Sequence, residues 1–115
     1  MLPVDLVADL SAIFSADRFY TDPVDCYTYA YDNSRKIFPP DAVLFPHTVE
    51  EVQRIVMLCN QYGTVLIPRG RGTGTAGGSL AEQGGIALSL ERMLKIVAVD
   101  PANRVIVAEP GVLNQ

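Results

Sequence analysis

The sequence predicts an α+β fold, a small mixed sheet assembled from a β-α-β unit and finished by a C-terminal β-hairpin. Two patterns predict it. An amphipathic, capped helical stretch between Thr48 and Gly63 lies between two short apolar runs, Ala42 to Phe45 and Val65 to Ile67. Further on, the apolar runs Ile96 to Val99 and Arg104 to Ala108 flank Asp100-Pro101-Ala102-Asn103, with Asp first and Pro second as a type I turn prefers.

Each element has its own signal. From Pro3 to about Phe14, Val4, Val7, Leu10 and Ile13/Phe14 recur as one face of a helix, with Pro3 at a favourable first-turn position. Between Arg18 and Pro40 the periodicity fails, and three prolines and four tyrosines suggest an extended connection whose aromatics lie on the body of the domain. Residues 1–40 are therefore expected to be an N-terminal helix and extended connection, and 41–115 the part that carries the clear strand and helix pattern. Thr48-Val49-Glu50-Glu51 is a capping box, the threonine accepting from the Glu51 amide while the glutamate reaches back. Val49, Val52, Ile55, Val56 and Cys59 then mark the apolar face, and Gly63 suits the left-handed residue that ends the helix. Val65 to Ile67 should be a buried strand terminated by Pro68, parallel to and paired with the strand at Ala42 to Phe45 through a right-handed crossover. Ile86 to Ser89 is a further strand and Glu91-Arg92-Met93 a turn.

Bulk properties narrow the function. A chain of 115 residues, 49% hydrophobic and 19% charged, is one folded domain with a modest core. A net charge of −4 argues against broad phosphate neutralisation and hence against nucleic-acid binding. No apolar run reaches membrane-span length, and the N-terminus has two acids and no Lys or Arg, so no signal peptide is expected and the cytoplasm is the expected address. Cys26 and Cys59 fit no metal spacing and read as free thiols, and the lone His47 reads as a loop or cap residue, so no metal site is assigned.

The chemistry concentrates in Pro68 to Gly85, PRGRGTGTAGGSLAEQGG, which holds seven of the nine glycines. Gly72 to Gly77 satisfies G-x-G-x-x-G, with Glu91 near the place of a ribose-binding acid. A dinucleotide fold then needs a crossover helix, and only eight residues separate Gly77 from the next strand. Gly72 to Ser79 also approaches a P-loop, but Gly78 stands where the lysine should be. A third possibility needs neither: alternating glycines can turn successive amides inward as an anion-binding concavity, with Thr73, Thr75 and Ser79 adding hydroxyls and Arg69 or Arg71 adding charge. That would suit a pyrophosphate. The remaining alternative is that the glycines only shape tight turns.

The run Pro68-Arg69-Gly70-Arg71-Gly72-Thr73-Gly74, with Gly77-Gly78 and the strand Gly84 to Leu90, resembles the FAD-binding domain of FAD-linked oxidases of the vanillyl-alcohol oxidase, or PCMH, type. Within that group it is most similar to the FAD-binding subunit of glycolate oxidase and to D-lactate dehydrogenases. Phe45 to Val52, Asp100 to Asn103 and Glu109 to Val112 agree with it, so the resemblance covers roughly Tyr31 to Gln115. It implies the first subdomain of a two-part FAD site and an N-terminal fragment of a longer enzyme, inactive alone. The implied cofactor contacts are Pro68, Arg69, Gly70, Arg71, Gly72, Thr73 and Gly74, with Gly77, Gly78 and Ser79 on the returning side.

The loop has no histidine to attach a flavin, so FAD is expected without a covalent link. The implied activity is oxidation of a small 2-hydroxy acid, with electrons leaving to an acceptor or to partner subunits, which could also bring the enzyme to the inner membrane surface. No catalytic residue is assigned. Self-association of the fragment is expected from an unfinished sheet. A non-catalytic module that binds a flavin or another nucleotide is the competing reading.

Overall fold

The computed structural model describes residues 2–30, 37–70 and 84–112. The elements are α1 (Val4–Ile13), β1 (Phe19–Tyr20), α2 (Pro23–Tyr27), β2 (Ala42–Leu44), α3 (Val49–Tyr62), β3 (Leu66–Arg69), β4 (Ile86–Ser89), β5 (Ile96–Asp100) and β6 (Val105–Ala108). Four strands form a mixed sheet in the order β1-β2-β4-β3, while β5 and β6 form a second, two-stranded antiparallel sheet. The α+β architecture with its small mixed sheet and hairpin is as the sequence predicts.

Several details differ. The strands β2 and β3 are not neighbours, because β4 lies between them and pairs in parallel with both. The sheet is mixed because β1 runs antiparallel to β2, and the hairpin takes no part in it. Pro68 does not end β3, which continues to Arg69. Its position explains why it is tolerated: the groups of Val65 and Arg69 that bond toward β4 alternate with those of Leu66 and Pro68, so the missing N–H faces away from β4, on the side where no described strand pairs.

The 18–40 segment is not wholly irregular either. Asp22 caps α2 by accepting from Val24 N at 2.8 Å, and Pro23 occupies the first turn, where its absent N–H is no loss. Both elements are too short for periodicity to reveal.

The sheet is covered on both faces. On one, Leu6, Leu10 and Phe14 of the α1 segment and Ile55 and Cys59 of α3 pack against Ala42, Leu44, Ile86 and Leu88. Each fully buried Leu or Ile contributes about 1.5–3 kcal/mol. The face of α1 is set by Leu6 rather than Val4, which is 82% exposed, and Val49 and Val56 of α3 also face outward. On the other face, Val43, Phe45, Ala87 and Cys26 form a smaller cluster with Tyr20 and Tyr29 against it.

Both cysteines are free and buried. Burial first, then the nearby Asp25, Asp22 and Asp41 carboxylates, push the Cys26 thiol up to about 11, which leaves it protonated and unreactive.

The capping box forms with one change. Thr48 Oγ1 accepts from Glu51 N at 3.2 Å, and Glu51 reaches back one residue further, to the His47 amide at 2.8 Å. The same carboxylate receives Arg18 Nη2 at 2.6 Å, while Arg18 Nε donates to the Phe45 carbonyl at 3.2 Å. Gly63 ends α3 at φ 63°, as its sequence position predicts.

Candidate cofactor-binding site

Because β2, β4 and β3 are parallel, their C-terminal ends lie along one edge of the sheet, the edge where ligands bind in open α/β folds. Arg69 and Gly70 close β3 there, Ser89 and Leu90 close β4, and the Leu90 amide donates to the Arg69 carbonyl at 2.8 Å. The turn after β6 returns to the same place, since Gly111 N donates to the Met93 carbonyl at 2.8 Å.

Arg69 and Ser89 are register partners, so their side chains share a face of the sheet. That face is the one carrying Phe45 and Tyr29. The Arg69 guanidinium lies over the Tyr29 ring, 5.1 Å from its centre, and its Nη1 donates to the Tyr29 carbonyl at 3.1 Å. The Tyr29 hydroxyl donates to Glu91 Oε1 at 2.5 Å. Burial, reinforced by that hydrogen bond, holds the phenol above its ordinary range. Arg92 closes the cluster from the far side, its guanidinium carbon 3.9 Å from the centre of the Phe45 ring and its Nη2 bonded to the Tyr20 hydroxyl at 3.2 Å.

Two polar atoms here are buried and unpartnered among the described residues: Arg69 Nε and Ser89 Oγ. Buried donors normally find acceptors, so each exception marks a place to ask what is missing.

The glycines fall into two kinds. A Cβ on Gly85 would stand 2.5 Å from the Val65 carbonyl oxygen at φ +99°, and one on Gly111 would stand 2.3 Å from the Glu91 carbonyl oxygen. Those glycines serve close backbone packing. Gly70 is different: its φ is not left-handed, and among the described residues a Cβ would meet only the Pro110 carbonyl oxygen at 3.9 Å.

Of the residues the sequence nominates, Pro68, Arg69 and Gly70 are brought to this edge. Arg71, Gly72, Thr73, Gly74, Gly77, Gly78 and Ser79 lie outside the described residues. Tyr29 and Ser89 are not among the residues the sequence nominates, and Glu91 enters there only as the ribose-binding acid of the dinucleotide alternative. Ser89 has the weak signal of a hydroxyl ending an apolar strand, and Tyr29 has none, because its place depends on the path of the segment before β2. A cleft of about 420 Å³ lined by Asp9, Arg54, Met57 and Gln61 lies elsewhere, on the α1–α3 surface. It has no glycine backbone to receive a phosphate.

Residues 40–115 match the model of the FAD binding domain family, FAD_binding_4. This chain belongs to that family. It is similar to glycolate oxidase subunit GlcD of Bacillus subtilis (strain 168), 29% identical over 99% of this chain and 24% of the relative. It is also similar to the mitochondrial D-lactate dehydrogenase [cytochrome] of Arabidopsis thaliana, 29% identical over 96% of this chain and 20% of the relative. Among solved structures, p-cresol methylhydroxylase with substrate bound superimposes with a TM-score of 0.81 at 26% identity, covering 94% of this chain and 22% of that one.

The chain thus spans about a quarter or less of the length of these relatives. The resemblance to PCMH-type FAD-linked oxidases holds, and FAD is the family's cofactor. The residues at the sheet edge fit such a group: a glycine that no described residue crowds, and a guanidinium and a hydroxyl with hydrogen-bonding atoms unused among the described residues.

Proposed function

We propose that this chain supplies the pyrophosphate-binding part of a non-covalent FAD site in a flavoprotein that oxidises a 2-hydroxy acid such as glycolate or D-lactate. Gly70 carries this reading: among the described residues, none crowds the place a side chain would take there and its φ is not left-handed. A glycine of that kind leaves the main chain open to a ligand, and the amides from Gly70 to Gly74 with the Thr73 hydroxyl would meet the pyrophosphate, with Gly77, Gly78 and Ser79 alongside.

Bound FAD would accept the hydride from the hydroxy acid's carbon. This chain's residues would hold and orient its phosphates, and the catalytic base and substrate-carboxylate site would come from polypeptide outside residues 1–115, so the chain alone is inactive. Residues 41–115 form the incomplete first part of the FAD-binding domain, and 1–40 its N-terminal extension. Electrons would pass to an acceptor or partner subunits.

A titration with FAD followed by NMR tests the reading. Weak binding is expected, and Gly70→Ala should abolish it at an unchanged melting temperature, since the added methyl meets open space in the fold but obstructs a ligand. Wild-type affinity in Gly70→Ala, or in Gly72→Val, would show that the glycines only shape the turn.

A further inference from the structure

The helix α3 carries apolar side chains that its core face does not use. Ile55 and Cys59 are buried, whereas Met57 is 70% exposed. Met57 does not stand alone, because it lines the cleft of about 420 Å³ between α1 and α3 with Ala12, Ile13 and Leu58. Asp9, Ala12 and Ile13 recur at i, i+3 and i+4 along α1, and Arg54, Met57 and Leu58 do so along α3. Each helix thus gives the cleft one stripe of the kind that packs against further helices. Each of these stripes holds one charge, and the two are opposite in sign. Asp9 Oδ2 accepts from the Tyr62 hydroxyl at 2.7 Å, toward the end of α3, while Arg54 lies about two turns before Tyr62.

We propose that this face docks a second copy of the chain, helix against helix, in a two-fold dimer. An acid and a base on opposite sides of an apolar middle make the face complementary to itself. A two-fold axis lying in the face, across the line from Asp9 to Arg54, would set the Arg54 of each copy against the Asp9 of the other. A carboxylate can receive a guanidinium as well as the Tyr62 hydroxyl. Between the charges the apolar residues would meet, and the unbranched Met57 adapts readily to such a contact. With α1 of 10 residues and α3 of 14, the helices are about 15 and 21 Å long and about 10 Å wide. The shared face is roughly 20 Å square, which places the dimer in the weak, reversible class. The proposal is independent of the flavin reading.

Sedimentation velocity of the chain from about 10 μM to about 1 mM tests it, with melting temperatures measured alongside. Wild type should dimerise. V99K/I106K removes apolar surface from the hairpin and should leave this dimer in place. R54E and D9R should each weaken it about tenfold or more, since each sets two like-charged pairs face to face. Mixed in equal amounts, R54E and D9R should pair with each other, because both contacts are then between opposite charges. D9R/R54E in one chain should pair with itself again. A monomeric wild type, or wild-type association in either single variant, would overturn the proposal. So would a mixture that stays monomeric while both variants melt like wild type. If D9R, which forfeits the Tyr62 hydrogen bond, does not fold, M57E decides: a carboxylate in the middle of the face should abolish the dimer, and an undiminished dimer would overturn the proposal.

Discussion

The four-stranded sheet and the β5–β6 hairpin are built from similar apolar sequence and end in opposite situations. Every residue of β2 and β4 is buried, whereas Ile96, Val97, Val99, Val105, Ile106 and Val107 of the hairpin are each about half exposed or more. Strand periodicity tells which residues share a face; it does not tell whether anything covers that face. The sheet has α1 and α3 on one side and the Tyr20–Tyr29–Phe45 cluster on the other. The hairpin has its own ladder, the Asp100–Asn103 turn bonds and a return to the sheet edge through Gly111. The sheet therefore holds the fold, while the hairpin keeps an exposed apolar surface.

The sharpest way to break that comparison is to remove core volume. Leu44→Ala should cost about 3 kcal/mol in a denaturant or thermal melt, because the sheet is close-packed on that side and cannot collapse around the gap. If it cost no more than a hairpin substitution, the two regions would not differ in the way described. Gly85→Ala comes next, at about 2 kcal/mol, since it combines a positive φ with a backbone oxygen already in the way.

Glu51→Gln should cost about 1 kcal/mol at neutral pH. The Arg18 hydrogen bond, with help from the His47 amide, holds the Glu51 carboxyl below its ordinary 4.5. A lowered folded value means the contribution is complete above that ordinary value and is lost as pH falls through and below it. Wild type and Glu51→Gln should therefore melt together in strong acid. A gap that persisted there would assign the effect to shape rather than charge.

The smallest effect on stability belongs to the hairpin. Val99→Lys with Ile106→Lys should change the melt by within about 0.5 kcal/mol. The same pair should reduce self-association in sedimentation velocity. A large loss of stability would show that the hairpin is part of the core after all.

What the sequence disclosed follows the same division. The capping box, Gly63 and the Asp-Pro turn act within a few residues, so Thr48, Glu51, Gly63 and Asp100 could be read directly. Strand order could not, because insertion of β4 between β2 and β3 depends on contacts 20 or more residues apart that leave no local mark. The buried face of α1 was misjudged for a related reason: Leu6 and Val4 both lie on apolar spacings, and only the position of β2 and β4 beneath the helix chooses between them. At the site, the glycine pattern exposed the loop. The Arg69–Tyr29–Glu91 network was hidden, since it joins three segments across 62 residues of sequence.

Pro68 has a further consequence. A strand at the rim of a sheet offers its outward amides to any extended chain that drifts against it, which is how soluble proteins come to polymerise through their sheets. On β3 the outward-facing residues are Leu66 and Pro68, and only Leu66 has an N–H to give. One missing hydrogen thus spoils the template along that rim, and the residue that introduces the glycine loop also guards the sheet against growing past it.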